Sequence, residues 1–442
     1  MRQPSDPQHA PSWLGRRLEL AIGPVAHGGH CVARHSGRVV FVRHALPGET
    51  VLAEVTEDRG GSFCRADAVE IRTASADRVR QPCPYARPGG CGGCDFQHVA
   101  LPAQRELKAA VVAEQLSRLA GLKLAVTVQP LDDGDGLGWR RRVRYAVGPH
   151  GELGLRAHRS HQLVPLTHCP ISAAGVGDTG ALSERLTGPS APAGLAEYEV
   201  AVDDRGKVVA LGHRQRPAAA RRSTGNRRRT SPASLMTEQL AGPPALSYTV
   251  GGHRFAVHPA GFWQTHPRAA EVFTTTVLAG AALRPGERAL DLYAGSGLFT
   301  VALAAAVTPT GRVLGLESEP AAVTDAAHNL SDQPWAGVRR GLVTAATVAA
   351  VATELGGPDV IVLDPPRGGA GGDVLTAILA TVARAVVYVA CDPAALARDV
   401  RIALDHGWRL AELSAFDAFP MTHHVECIAV LRPPQAGRLP VR

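Results

Sequence analysis

Two side chains in this sequence could make and break a covalent bond. Cys391 follows the apolar run Val386-Val387-Tyr388-Val389-Ala390 and precedes Asp392-Pro393. A parallel strand is expected to end there and to present the thiol at the carboxyl edge of a sheet. That edge is where open α/β sheets bind ligands. Thirty-five positions later Glu426 opens another apolar run, in His423-His424-Val425-Glu426-Cys427. A thiol and a carboxylate delivered by strands of one sheet would form a nucleophile and a base. A cysteine taken alone is more often a small buried hydrophobe, so the surrounding motifs must decide.

Asp291-Leu292-Tyr293-Ala294-Gly295-Ser296-Gly297 ends a strand-like run and opens a helix. Its glycines permit a tight turn and close approach of a ligand to backbone. Glu317 ends the next strand, twenty residues after Gly297, where an acid can accept from both hydroxyls of a ribose. No phosphate-binding lysine and no third glycine at dinucleotide spacing is present. A nucleoside without pyrophosphate, such as S-adenosylmethionine, fits better than NAD. Asp364-Pro365-Pro366-Arg367 ends a further strand, and two prolines make a rigid loop over the crevice. Methyltransferases acting on nucleobases meet the base edge with this kind of loop.

Together these groups suit one reaction. C5 of a uracil is not nucleophilic, but a thiolate adding to C6 makes C5 enolate-like, able to attack a methyl sulfonium. A base must then remove the C5 proton before the thiolate can leave. Methylation of a base amino group by direct attack needs only Asp364 and its loop. An RNA-binding module or chaperone that has retired its active site would need neither.

Cys83, Cys91 and Cys94 have C-x7-C-x2-C spacing, with Cys169 far downstream in Thr167-His168-Cys169-Pro170. Four thiolates can hold an iron–sulfur cluster or tetrahedral zinc. Gly89, Gly90, Gly92 and Gly93 would let backbone wrap such a centre. In Trp139-Arg140-Arg141-Arg142-Val143-Arg144-Tyr145 a strand would put Arg140, Arg142 and Arg144 on one face. That face would contact phosphates, stack on bases or be solvated.

The elements that must position these groups fall into three regions. Residues 15–72 read as five short strands punctuated by Gly and Pro, a small closed barrel of the OB kind. Residues 73–260 form a β-rich central domain that includes the Cys-rich segment. Within it, 101–120 has helical periodicity through Leu107, Val111, Val112, Leu116 and Leu119. From 261 to 433, apolar runs (RALDLY, RVLGLE, DVIVLD, AVVYVA) alternate with helical stretches, closing on WRLAELSAF and VECIAVL. That pattern is a doubly wound, mainly parallel α/β sheet.

The chain has 442 residues and 45% hydrophobic content, enough for several packed domains. No apolar run reaches the roughly 20 residues of a membrane helix, and the N-terminus lacks a secretory h-region. A monomeric, cytoplasmic protein without membrane association is expected, and its eight cysteines then read as metal or catalytic groups. The net charge of +7 is local. Seven of the 47 basic residues lie between Arg214 and Arg229, and the remaining 40 match the 40 acids. The insertion at 214–235 is too polar to order itself. It is either an arm for nucleic acid or a solvated insertion.

With these motifs in place, the chain resembles the RNA uracil-C5 methyltransferases, the bacterial 23S rRNA and tRNA 5-methyluridine enzymes. The resemblance runs from about Leu18 to Leu431. It is carried in order by CPYARPGGCGGCDFQH, HPAGFWQTHPRAAEVF, DLYAGSGLFT, GLESEP, DPPRGGA, YVACDPAALARDV and DAFPMTHHVEC. It implies a class I (Rossmann-like) methyltransferase domain behind a TRAM barrel, with Cys391 as nucleophile and Glu426 as proton acceptor. It also implies S-adenosylmethionine bound through Gln264, Tyr293, Glu317 and Asp364, at the turn of Asp291, Gly295 and Gly297, with Asp364 also orienting the uracil. Cys83, Cys91, Cys94 and Cys169 would ligate a [4Fe-4S] cluster, and the helix at 101–120 would pack on the catalytic domain. RNA is the implied partner, ribosomal RNA favoured over transfer RNA. Three departures stand out. Asp392 replaces the usual Asn after the cysteine, and an unpaired carboxylate there would disfavour the thiolate. Leu298 stands where relatives are often polar. The first cysteine gap exceeds the usual five.

Overall fold

The computed structural model describes residues 12–187, 194–215, 235–381 and 383–434. Most of the arginine-rich insertion expected at 214–235 lies outside the described residues.

The first region is a barrel-like sheet of β1 (Arg17–Ala21), β2 (Cys31–His35), β3 (Arg38–Arg43), β4 (Thr50–Glu57) and β5 (Phe63–Thr73), ordered β1-β4-β5-β3-β2. Strict alternation along β4 sends Val51, Ala53 and Val55 inward, as a two-residue pleat requires. They meet Leu18, Leu20, Val40 and Val42 in a core that also takes in Phe96, Val99, Ala103 and Val111 from the segment that follows. The chain then passes through the cysteine segment into α1 (Leu101–Gln115). That helix continues through a π-turn, Leu116–Ala120, and stops at Gly121 with φ 73°.

The next strand, β6 (Val128–Pro130), leaves the central region. It pairs parallel with a strand near the C-terminus, Val128 opposite Ala415. The sequence reading had placed this stretch in the β-rich middle. Three residues carry too little pattern to reveal a partner almost 290 positions away. The middle sheet is built from β7 (Arg142–Val147), β8 (Leu153–Arg156), β9 (Leu163–Pro165), β10 (Glu197–Val202), β11 (Val208–Gln215) and β12 (Leu235–Ala241), with α2 (Thr179–Thr187) inserted. Its order is β12-β11-β10-β7-β8-β9. A hairpin, β13 (Leu246–Val250) and β14 (His253–Val257), turns at Gly251-Gly252, both with positive φ.

The catalytic region runs α3 (Ala269–Ala281), β15 (Arg288–Leu292), α4 (Leu298–Val307), β16 (Arg312–Glu317), α5 (Pro320–Asn329), β17 (Ala336–Arg340), α6 (Ala345–Leu355), β18 (Val360–Leu363), α7 (Gly372–Ala380), β19 (Ala385–Ala390), α8 (Pro393–Asp405), β20 (Arg409–Asp417) and β21 (Glu426–Arg432). Its eight-stranded sheet has the order β17-β16-β15-β18-β19-β21-β20-β6. The five strands from β17 to β19 are parallel, and β21 is antiparallel to both its neighbours. Every residue of β18 and β19 is buried, because helices cover both faces. Alternate residues feed two cores: Val362, Val387 and Val389 meet Phe273 and Phe299, while Leu363, Tyr388 and Ala390 meet Leu396 and Val400. Each such side chain contributes about 1.5–3 kcal/mol on burial. This stiff centre holds the strand ends that carry the chemistry.

Candidate active site

The cofactor side lies where strand order reverses, between β15 and β18. After β15 the chain turns back through Tyr293 (φ 64°), Gly295 (φ 55°) and Gly297 (φ 90°) into α4. A positive φ at Tyr293 is costly for a bulky residue, and the Tyr293 N–H donates to Leu316 O at 3.0 Å to hold it. Nothing lies within 4 Å of the Cβ that Gly295 lacks, so backbone faces open space there. Glu317, at the end of β16, accepts from the N–H groups of Gly295 (2.9 Å), Ser318 (2.6 Å) and Glu319 (2.8 Å). Its carboxylate is thereby fixed beside the glycine turn. Asp291 is fully buried beneath it and accepts from Thr300 Oγ1 at 2.6 Å. Burial pushes its carboxyl up to about 7, against the Thr300 hydrogen bond and with help from Asp364. Sequence reading missed Asn329, the buried last residue of α5. It donates to Ser296 O (2.9 Å) and exchanges hydrogen bonds with Ala256, tying the turn to β14.

The thiol side lies one strand further on. Ala390 pairs with Cys427, so extending the register by one residue sets Cys391 opposite Glu426. Glu426 is buried, and that burial, with the charge of Asp364, raises its pKa well above the usual carboxylate range while Arg367 opposes. Cys391 is partly exposed; burial, then Glu426 and Asp364, push its thiol up to about 11, against Arg367. Asp364, at the end of β18, is itself raised to about 7 by burial. The structure thus brings Cys391, Glu426 and Asp364 into one electrostatic cluster in which burial and mutual charge raise all three groups. Behind Cys391, Asp399 of α8 accepts from Tyr388 Oη (2.7 Å) and from the Ala370 N–H (2.8 Å), clamping the loop that follows Asp364-Pro365-Pro366.

Asp392, a liability to the thiolate only if left unpaired, has partners for both its oxygens. It caps α8, with Oδ1 accepting from the Ala395 N–H at 2.8 Å, and Oδ2 lies 2.9 Å from His27 Nε2. Burial alone would raise it, but His27 and the cap hold it below its ordinary value.

Residues from the first quarter of the chain complete this edge. A cavity of about 190 Å³ is lined by Cys391, Arg367 and His424 on one side and by His27, Gly29 and Lys108 on another. Lys108 of α1 is fully buried, 2.5 Å from Asp417 and 3.0 Å from Phe419 O. Gln104 Oε1 accepts from the Met421 N–H (2.8 Å), where φ is 68°. Asp95, one residue past Cys94, receives backbone-level support from Met421 and lies 2.6 Å from His423 Nδ1. Burial would raise Asp95, but His423 and then Arg43 hold it well below the carboxylate range. No local pattern announced His27, Asp95, Gln104 or Lys108.

Cys83, Cys91, Cys94 and Cys169 are all buried, carry free thiols and surround one small cavity with Gln97 and Arg140. The Gly93 N–H points at Cys91 Sγ (3.4 Å) and Gln97 Nε2 at Cys94 Sγ (3.4 Å). Cβ atoms at Gly90 and Gly92 would strike backbone at 2.2 and 2.6 Å, so only glycine fits this wrap. Among the described residues, no group of three or more His, Cys, Asp or Glu side chains is placed to hold a metal ion.

The arginines of β7 pair with acids of the neighbouring strand, although Arg144 stays half exposed. Arg142 lies 2.5 Å and Arg144 2.6 Å from buried Glu199, which also meets His213, and Arg140 donates to Arg142 O.

Comparison with known proteins agrees with this architecture. The sequence profile of the tRNA (uracil-5-)-methyltransferase family matches residues 357–433 and that of the TRAM domain matches 11–69. A third profile, protein-L-isoaspartate (D-aspartate) O-methyltransferase, falls on 264–345, the cofactor side alone. An uncharacterized RNA methyltransferase of Streptomyces avermitilis is 46% identical over 96% of this chain and 100% of its own. A 23S rRNA (uracil(1939)-C(5))-methyltransferase of a Shewanella species is 30% identical over 94% and 96% respectively. The tRNA (uracil-54, C5)-methyltransferase of Pyrococcus abyssi, solved with S-adenosyl-L-homocysteine, superposes with a TM-score of 0.67 at 22% identity. It covers 94% of this chain and all of that one. The fold is thus a class I S-adenosylmethionine-dependent methyltransferase carrying a TRAM barrel. The chain belongs to the RNA uracil-C5-methyltransferase family. Among the described residues no helix is long and apolar enough to cross a membrane.

Proposed function

We propose that this enzyme methylates C5 of one uridine in structured RNA, with Cys391 as nucleophile and Glu426 as proton acceptor. The observation that carries the reading is the β19–β21 register, which sets a partly exposed thiol against a buried carboxyl beside Asp364. Cys391 adds to C6 of the uracil, and C5 gains nucleophilic character. Once C5 carries the methyl group, Glu426 takes the C5 proton and the C6–S bond breaks, returning the thiolate and the C5–C6 double bond. Gln264, Tyr293 and Glu317, with the turn of Asp291, Gly295 and Gly297, would hold S-adenosylmethionine. When bound it supplies an electrophilic methyl and a positive charge. Asp364 would orient the uracil. A cation beside Cys391 and Glu426 would favour the thiolate and the carboxylate over their protonated forms.

Ribosomal RNA is the favoured substrate, supported by the 30% identical Shewanella relative that spans nearly the whole chain. Transfer RNA is the other candidate. Cys83, Cys91, Cys94 and Cys169 would hold a [4Fe-4S] cluster, or zinc in its place, as a structural centre for the Asp95 segment. Iron content and a visible absorption band in anaerobically purified protein support the cluster; zinc alone refutes it.

The decisive experiment uses unmodified RNA and sodium dodecyl sulfate gels. Cys391→Ala should abolish methyl transfer, and Glu426→Gln should accumulate an RNA–protein adduct resistant to denaturation. An active Cys391→Ala enzyme, or full turnover without adduct in Glu426→Gln, would overturn the mechanism. Mapping 5-methyluridine in ribosomal and transfer RNA of a deletion strain identifies the substrate.

A further inference from the structure

The barrel does more than sit beside the catalytic sheet. The turn between β1 and β2 reaches the residue that follows the nucleophile, 365 positions away in sequence. His27 Nε2 and Asp392 Oδ2 are 2.9 Å apart, with the His27 side chain exposed and that of Asp392 about a quarter exposed. The next residues are fitted to this approach. Gly29 has φ 76°, and a Cβ there would lie 2.7 Å from His423 Cβ and 3.3 Å from Asp95 Cβ. His27, Gly28 and Gly29 line the same cavity as Cys391.

We propose that His27 is a positioning residue for the nucleophile, holding the Asp392 carboxylate on the N-terminus of α8 and away from Cys391. This rests on Cys391 being the nucleophile. The chain carries an acid where a neutral side chain would do as a cap, since Asn caps a helix as well as Asp. A free carboxylate next to the thiol would work against the thiolate. In the structure both Asp392 oxygens are engaged, one by the Ala395 N–H and one by His27. The charges bearing on the Cys391 thiol are instead those of Glu426 on β21 and of Asp364 and Arg367 after β18. The other ionisable groups facing the cavity are His423 and His424 before β21 and Lys108 on α1. A consequence is that a properly seated barrel is a condition for a reactive thiol, and a barrel lifted off the sheet would leave Asp392 unpaired.

The test titrates Cys391 itself in the full-length protein, by iodoacetamide alkylation against pH without RNA, with Cys391→Ala as the blank. The other seven cysteines are buried. His27→Ala should move the alkylation midpoint up by about 0.5–1 unit, because each unit is tenfold in thiolate. His27→Gln, whose amide can still donate to Asp392, should recover much of that shift. In an Asp392→Asn background, His27→Ala should leave the midpoint in place. In methyl transfer, His27→Ala should lower kcat about 3–10-fold with the RNA KM within about twofold. A midpoint unmoved by His27→Ala overturns the proposal, as does a shift that persists undiminished with Asp392→Asn, or a kinetic loss confined to KM. An active Cys391→Ala enzyme would instead remove the nucleophile reading, which the alkylation profile does not depend on.

Discussion

The two sides of the site are built on opposite plans. The cofactor side is assembled from strand-to-helix turns between Asp291 and Asp364, all in one run of parallel strands and helices. Its principal links, Thr300 to Asp291 and Gly295 to Glu317, join residues 9 and 22 positions apart. The thiol side is closed by distant segments brought together: Lys108 to Asp417, Gln104 to Met421, Asp95 to His423 and His27 to Asp392, each spanning more than 300 positions. A turn within a parallel sheet is set by local backbone chemistry. An edge made from distant segments depends on how the barrel, the cysteine segment and α1 seat on the sheet. Damage to the barrel side should therefore reach the thiol and spare the donor.

The largest expected effect comes from separating that seam. Lys108→Ala strands the buried Asp417 carboxylate and should cost about 3–5 kcal/mol, read as a lower urea midpoint. Lys108→Met with Asp417→Leu should recover most of it, because an apolar pair needs no desolvated charge. Equal loss in both variants would mean that the packing of the stem, and not the charge, holds α1.

On the cofactor side the sharpest signature is pH dependence. The Asp291 carboxyl keeps its proton in the folded state up to about 7, while the unfolded chain loses it near 4. Between those values the native state binds the extra proton, so stability falls as pH rises, by up to about 1.4 kcal/mol per pH unit for one group. Asp291→Asn should remove one group's share of that slope in urea titrations from pH 4.5 to 6.5. An unchanged slope would place the proton elsewhere.

The smallest effect tests the contact line itself. Gly29→Ala meets both a positive φ and His423, and should cost about 1–3 kcal/mol at the seam. It should lower methyl transfer while donor affinity, measured by calorimetry, stays at the wild-type value. A matching loss of donor affinity would show that the two sides are not independent.

Much of the architecture was legible because it repeats short patterns. Buried runs such as IVL and VVYVA announce parallel strands, the DLYAGSG turn announces its own backbone, and the alternation along TVLAEV marks a barrel strand. The placement of Val128–Pro130 was not legible, since three extended residues fit any sheet. The partners of the β7 arginines were not legible, because charge spacing shows that arginines share a face, and not that Glu199 and His213 meet them there. Asp392 looked like a liability beside Cys391 because its partner, His27, stands in an unremarkable HGGH turn.

The sequence by itself determined the types of group available to the reaction: a thiol, carboxyls at strand ends, a glycine turn and an acid to follow it. Residue order and period carry that information, because strand ends and turns are decided over a handful of positions. Only the tertiary structure decided which groups share an electrostatic field. It set Cys391 against Glu426 through an antiparallel register, turned Asp392 into a helix cap, and buried Lys108 and Asp95 at the same edge. Those outcomes depend on desolvation and on distances between segments hundreds of residues apart, quantities that exist only once the chain has packed.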